Sequence, residues 1–78
     1  MNMKELVEVI AKSLVDDPAA VVVTEEEDDR QITLNLTVSP DDMGKVIGKQ
    51  GRIAKAIRTV VRAAGGVKTD KKIMVDIK

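Results

Sequence analysis

The chain has 78 residues, of which 33% are charged and 44% hydrophobic. This composition predicts a single globular domain over residues 1–78 rather than a disordered chain. No apolar run approaches the roughly 20 residues of a membrane-spanning helix, so we expect no membrane partner. The first residues lack the basic and apolar segments of an export signal, which favours a cytoplasmic location.

The residue types that are missing restrict the chemistry. The sequence contains no Cys, no His and no aromatic residue. Because His and Cys supply most nucleophiles, proton carriers and transition-metal ligands, we expect no enzyme, no metal site and no cofactor. The absence of aromatic rings also removes the platforms on which nucleic-acid bases stack.

Charge is distributed unevenly along the chain, although the formal net charge is zero. Residues 1–43 carry three basic and eleven acidic side chains, whereas residues 44–78 carry ten basic and two acidic ones. A basic half predicts a surface for an anionic partner. The alternative, in which the two halves neutralise each other across solvated surfaces, stays open on charge alone.

The first half of the chain predicts a helix followed by a β-hairpin. Asn2 and Glu5 occupy the positions of a capping box, and apolar residues at helical spacing continue to about Val15. Pro18 then stops the helix. The predicted strands cover residues 20–24 and 31–38, and a plain acidic turn is expected over residues 25–29.

The second half predicts two helices and a last strand. Ser39 and Pro40 are typical of a helix start, and this short helix meets Gly48. A third helix begins near Gly51 and is expected to end at Gly65-Gly66. Its predicted buried face consists of Ile53, Ile57, Val60, Val61 and Ala64. The last strand is predicted over residues 72–78.

These elements predict an α+β fold of two layers in the order α-β-β-α-α-β. Three half-buried strands and three amphipathic helices suit a three-stranded mixed sheet covered on one face by helices. A right-handed crossover through the second and third helices would place the last strand parallel to the second.

The segment Gly48-Lys49-Gln50-Gly51 is the candidate functional motif. It lies between two predicted helices, and glycines let an anion approach the backbone closely. The start of the third helix is expected to offer unpaired N–H groups and a partial positive charge. The alternative is that the glycines form only a tight turn between helices, with Lys49 and Gln50 as solvated side chains.

The sequence Val46-Ile47-Gly48-Lys49-Gln50-Gly51, with Ile57 further on, resembles the VIGxxG signature of KH domains. The predicted order of elements is similar to the type II, prokaryotic form of that fold. The resemblance covers essentially the whole chain and points to the small stand-alone bacterial KH proteins of the KhpA family. It implies a protein that binds single-stranded RNA by gripping backbone phosphates at the GxxG loop. It also implies an RNA chaperone or a post-transcriptional regulator.

By this resemblance, Lys49 and Gln50 would meet phosphates, and Val46, Ile47 and Ile53 would form an apolar wall against bases. The expected nucleic-acid-binding residues are Lys45, Val46, Ile47, Gly48, Lys49, Gln50, Gly51, Arg52, Ile53 and Lys55. Arg58 and Arg62 are expected on a solvated face. Single-stranded DNA stays open as a ligand. The family also implies pairing, as a homodimer or with a larger KH-containing protein.

Two other interpretations compete with RNA binding. A helix-turn-helix DNA binder would use the same two helices and the turn between them, although glycine at both ends of the turn fits a KH domain better. A protein-interaction module acting through dimerisation would use the alanine-rich flanks of the third helix. One departure from many KH sequences is Ala54, where a bulkier aliphatic residue is common, and this puts the depth of a base-binding cleft in doubt.

Overall fold

A computed structural model describes residues 1–78 and shows three helices and three strands. The elements are α1 (Met3–Leu14), β1 (Val22–Glu27), β2 (Gln31–Thr37), α2 (Met43–Ile47), α3 (Arg52–Gly66) and β3 (Lys72–Ile77). Single 3-10 turns cover Pro18–Ala20, Pro40–Asp42 and Lys49–Gly51. The predicted α+β class and the order α-β-β-α-α-β are confirmed.

The strands form one mixed sheet in the order β1-β2-β3. β1 pairs with β2 as an antiparallel hairpin. β3 lies parallel to β2, with Ile32 opposite Ile73 and Leu36 opposite Ile77. The crossover through α2 and α3 therefore returns the chain in the predicted direction and leaves β3 at an edge of the sheet.

The core lies between the sheet and the helices. Its largest fully buried side chains are Leu34, Leu36, Val7, Val46 and Val61. Alternate β2 side chains at Ile32, Leu34 and Leu36 enter this core, as the period of two in the sequence predicts. No helix has the length and apolar character that crossing a membrane requires.

The acidic run is not a plain turn, because Glu25–Glu27 complete β1 and pair with β2. The turn begins at Asp28, whose Oδ1 accepts hydrogen bonds from the N–H groups of Arg30 (2.7 Å) and Gln31 (2.9 Å). These bonds hold the pKa of Asp28 below its ordinary value. β1 also starts later than predicted, at Val22, since Pro18–Ala20 form a 3-10 turn first.

The predicted end of α3 is confirmed, since the helix ends at Gly66, but the prediction for its buried face is wrong in part. Gly65 is buried, and a Cβ built there would overlap Ile73 Cδ1 and lie 2.5 Å from Met3 Sδ, so this glycine permits close packing. Val60 is 48% exposed rather than buried. The buried stripe instead follows Ala54, Ile57, Val61 and Gly65.

Candidate nucleic-acid interface

The GxxG loop connects α2 to α3, and three of its four residues have positive φ. Gly48 has φ 76° and ψ 175°, Gln50 has φ 57° and Gly51 has φ 74°. The conformation at Gly48 is accessible essentially only to glycine, and the left-handed conformation at Gly51 favours it. Gln50 adopts the left-handed region without that advantage, which costs backbone energy at the tip of the loop.

Gly48 is also required by packing. A Cβ built on Gly48 would lie 2.7 Å from Ile53 Cγ1, whereas one built on Gly51 meets nothing within 4 Å. The first glycine therefore lets the loop fold back onto the first turn of α3. The second glycine serves the turn alone and leaves the backbone open to solvent.

The backbone N–H groups of the loop divide into paired and unpaired ones. Gly48 donates to Gly44 O (2.9 Å) and Gly51 donates to Gly48 O (3.2 Å). Arg52 donates to Lys49 O, so the N–H group at the first position of α3 is not free, contrary to the expectation. The N–H groups of Lys49 and Gln50 take part in none of the turn, loop and cap hydrogen bonds, and the non-helical backbone at Gly48 separates them from the carbonyl groups that a continuous α2 would offer. The free amides lie at the tip of the loop.

The side chains at the tip are accessible. Lys49 and Gln50 are both exposed, and neither takes part in the ion pairs of the molecule. Arg52 and Lys55, on the first turns of α3, are also exposed and unpaired. The structure thus brings two free amides, one neutral donor and three cations to one end of the molecule.

Lys45 differs from these cations because its charge is paired with carboxylates of the same chain. Its Nζ contacts Asp16 Oδ2 and lies 3.5 Å from Asp42 Oδ1. The hydrogen bond to Asp16 raises the pKa of Lys45 above its ordinary value. A ligand phosphate would therefore have to compete with two carboxylates for Lys45.

Asp42 connects the start of α2 to the segment that follows α1. Its side chain is 3% exposed and accepts a hydrogen bond from Asp17 N at 3.0 Å. Burial raises the pKa of Asp42, but the N–H groups of Asp17 and Asp16 and the charge of Lys45 outweigh burial, so the pKa lies below its ordinary value. Asp42 therefore stays charged and holds α2 in place beneath the loop.

The apolar residues around the loop do not share one role. Ile47 and Ile53 are half-buried and retain accessible surface beside the glycines. Val46 is 0% exposed and belongs to the core. The expectation that Val46 contacts bases is wrong for this conformation, because the residue has no surface to offer. Ala54 is likewise buried, at 4% exposure.

Arg58 and Arg62 do not lie on a merely solvated face. Arg58 Nε donates to Val75 O and Arg62 Nε donates to Ile73 O, both at 3.2 Å. Four residues of a helix rise about 6 Å, and two residues of a strand rise about 6.6 Å. Two arginines four residues apart on a helix can therefore each reach one of two carbonyl groups that lie two residues apart on an adjacent strand. That spacing was the signal in the sequence, and it becomes readable only once α3 and β3 are known to be neighbours.

The acidic end of the hairpin lies away from the loop. The two arginine contacts show that α3 runs antiparallel to β3, with its later residues beside the start of the strand. Glu27 pairs with Lys71 Nζ at 2.5 Å, next to that start. The start of α3 and the GxxG loop consequently lie towards the other end of β3, so the acidic residues do not oppose a ligand at the loop.

A GxxG loop between two helices, within an α-β-β-α-α-β fold whose second and third strands are parallel, defines a type II KH domain. A solved structure supports this class at the level of the fold. The crystal structure of Era in complex with MgGDPNP and nucleotides 1506–1542 of 16S ribosomal RNA matches with a TM-score of 0.73 and 19% identity. The match covers 96% of this chain and 28% of the Era chain.

The chain belongs to the KhpA/KhpB KH-domain family, whose sequence profile matches residues 4–77. It is 67% identical to the RNA-binding protein KhpA of Clostridium perfringens, over 96% of this chain and 99% of that protein. It is 61% identical to KhpA of Clostridium acetobutylicum, with the same coverage. It is 60% identical to KhpA of Listeria monocytogenes, over 96% of this chain and 97% of the relative. The KH fold thereby replaces the helix-turn-helix interpretation.

Proposed function

We propose that the chain binds single-stranded RNA by holding backbone phosphates against the GxxG loop. The observation that carries this proposal is the pair of unpaired N–H groups at Lys49 and Gln50 on an exposed loop. Relatives that are 60–67% identical over nearly the whole chain are named RNA-binding proteins, which supports RNA as the ligand. An RNA chaperone or regulatory role would follow from such binding.

A phosphate at the loop would receive two main-chain hydrogen bonds and meet the charge of Lys49. Gly51 leaves open space beside the backbone, so the anion can approach without displacing a side chain. Arg52 and Lys55 would extend the positive rim along α3. Hydrogen bonds to a charged acceptor are roughly twice as strong as neutral ones, which makes the backbone of the ligand the main source of affinity.

Bases would lie against the accessible parts of Ile47 and Ile53. Aliphatic side chains bury apolar surface but provide no ring on which a base can stack. We therefore expect modest affinity and little discrimination among bases, because stacking on aromatic side chains normally supplies about 1–3 kcal/mol per base.

Pairing is the second part of the proposal. A groove between α1 and α3 is lined by Leu6, Ile10, Leu14, Ile53, Ala56 and Val60, together with Ile57 and Arg52. This surface is apolar, and Val60 is half exposed in it. A second copy of the chain, or a larger KH-containing protein, would cover the groove and add avidity to a weak RNA contact. The molecular mass, measured alongside RNA titrations, tests whether a second copy binds.

The double variant Lys49→Asp/Gln50→Asp tests the loop. Reversing the charge at the tip should abolish binding of short single-stranded RNA, as measured by titration of a labelled oligomer. The free energy of unfolding should change by less than about 1 kcal/mol, since both side chains are exposed and Asp tolerates the left-handed backbone at position 50. Single-stranded DNA oligomers of the same sequence show whether the 2′-hydroxyl contributes.

The matched control is Lys4→Asp/Thr24→Asp, which changes the net charge by the same amount at exposed positions of α1 and β1. We expect this control to weaken RNA binding only slightly, through the long-range field. Equal losses in the two variants would show that net charge, and not the loop, governs binding. Unchanged affinity in the loop variant would refute the site.

A further inference from the structure

The two carboxylates that contact Lys45, next to the GxxG loop, are not equivalent. The side chain of Asp42 is 3% exposed and accepts a hydrogen bond from Asp17 N at 3.0 Å. The side chain of Asp16 is 83% exposed, and Lys45 Nζ is its hydrogen-bond partner. Asp42 is therefore a fixed part of the fold, whereas Asp16 can move away from Lys45 without leaving a buried polar group unpaired.

The ion pair between Asp16 and Lys45 is one that a phosphate can displace. The Lys45 side chain is 42% exposed, and ion pairs between accessible groups contribute little to stability, because water and salt screen them. A phosphodiester oxygen is an anionic acceptor, as a carboxylate oxygen is. Asp16 and a phosphate of the ligand would therefore compete for the same ammonium group.

Lys45 lies within reach of a phosphate at the loop. It belongs to the last turn of α2, and Gly48 N donates to Gly44 O at 2.9 Å, so the helical path continues as far as Gly48. Three residues of helix rise about 4.5 Å, and the ammonium group of a lysine is carried on a flexible stem of four carbon atoms. Once released from Asp16, this group can turn towards a phosphate on the α2 side of the loop.

We propose that Asp16 is an autoinhibitory residue, whose carboxylate competes with RNA phosphates for Lys45 and thereby lowers the affinity of the GxxG loop for RNA. This inference rests on the proposed RNA binding at the loop. It makes Lys45 a phosphate contact on the α2 side of the loop, whereas Arg52 and Lys55 belong to α3. The segment that follows α1 thus limits how tightly the chain binds RNA.

The test variant is Asp16→Asn, which keeps the shape of the side chain and removes its charge. The affinity of the full chain for a labelled decanucleotide of single-stranded RNA is measured by fluorescence titration. An exposed ion pair changes an equilibrium constant by at most about fivefold. Asp16→Asn should therefore bind the decanucleotide about two- to fivefold more tightly than the unchanged chain.

The matched control is Asp17→Asn, the same change at the next residue, whose side chain is exposed and forms no ion pair. It should change the affinity by less than about 1.5-fold, because salt screens the field of an exposed charge.

A second comparison identifies Lys45 as the group that Asp16 withholds. Lys45→Met keeps the apolar stem and removes the charge, so adding Asp16→Asn to Lys45→Met should produce no gain in affinity. The comparison of Asp16→Asn with Asp17→Asn decides the proposal by itself should Lys45→Met fail to fold.

The possible failures are distinguishable. Equal gains in affinity for Asp16→Asn and Asp17→Asn would show that net charge is the cause and would overturn the autoinhibitory role. An unchanged affinity in Asp16→Asn, or a gain that persists beside Lys45→Met, would overturn it equally. Each of these outcomes leaves RNA binding at the loop standing. If neither the unchanged chain nor Asp16→Asn binds the decanucleotide, the proposed function fails, and the role of Asp16 fails with it.

Discussion

Each of the three loop residues with positive φ has a different reason for its conformation. Gly48 combines a backbone region that is almost exclusive to glycine with close contact to Ile53. Gly51 needs only the left-handed turn. Gln50 adopts the left-handed region as a non-glycine residue. Similar positions in a short motif therefore impose unequal constraints on substitution.

Alanine substitutions should separate these constraints. Gly51→Ala should reduce the free energy of unfolding by about 1–2 kcal/mol, the cost of a left-handed alanine. Gly48→Ala should cost more, at least about 2–3 kcal/mol, because strain and overlap with Ile53 act together. Gln50→Gly should be neutral or stabilising by up to about 1 kcal/mol. Urea unfolding measures all three, and equal costs for the two alanine variants would contradict the difference in packing.

At the scale of the elements, α3 and β3 pack by direct contact at one end and by side-chain bridges along the edge. Gly65 brings the last turns of the helix against Ile73 and Met3. Arg58 and Arg62 then cover carbonyl groups of the edge strand. An edge strand whose acceptors are already bonded is a poorer template for pairing with another chain, which protects the exposed side of the sheet.

The two neighbouring glycines of α3 offer a matched test of this packing. Gly66→Ala should stabilise the chain by up to about 1 kcal/mol, because alanine favours a helix and nothing lies within reach of its Cβ. Gly65→Ala gains the same propensity, but its Cβ would overlap Ile73. We expect a net loss of about 1–2 kcal/mol. Thermal unfolding of both variants measures the difference, and two stabilising substitutions would show that α3 and β3 can separate at little cost.

At the scale of the whole molecule, Asp42 joins segments that are distant along the chain. The segment after α1 donates to it through Asp17, and Lys45 of α2 approaches it at 3.5 Å. Because its pKa is lower in the folded chain than the ordinary value of 3.8, its contribution to stability is present above that value. The contribution is lost as the pH falls through the lower, folded pKa.

We expect Asp42→Asn to be less stable than the unchanged chain at about pH 7. The two should approach each other in stability as the pH falls below 3.8 and through the lower pKa of the folded chain, where the carboxylate itself becomes protonated. Urea unfolding at a series of pH values provides the measurement. Asp41→Asn is the control, since Asp41 is exposed and forms no ion pair. A constant difference between Asp42→Asn and the unchanged chain across this range would contradict the assigned linkage.

Much of the architecture was predictable from the amino-acid sequence. The alternation of Ile32, Leu34 and Leu36 identified the central strand, and the two glycines located the loop. The predictions that failed concern exposure and pairing. Val46 proved to be core, the amides of Gly51 and Arg52 proved to be bonded, and Arg58 and Arg62 proved to contact β3. The burial of Val46 and the contacts of Arg58 and Arg62 do not follow from the neighbours of these residues along the chain, whereas the amides of Gly51 and Arg52 are bonded to carbonyl groups only three residues earlier.

The sequence by itself determined the order of the helices and strands, the parallel return of the last strand and the position of the glycine loop. The helices, the strands and the loop depend on local periodicity and on backbone preferences, which can be recognised in a short stretch of chain. The parallel return of the last strand follows from the general right-handedness of such crossovers. Only the tertiary structure decided which cations are free. Lys45 is paired by Asp16, 29 residues away, and Arg58 is oriented by Val75, 17 residues away. Such contacts exist because folding brings distant segments together, and the electrostatics of the surface depend on them.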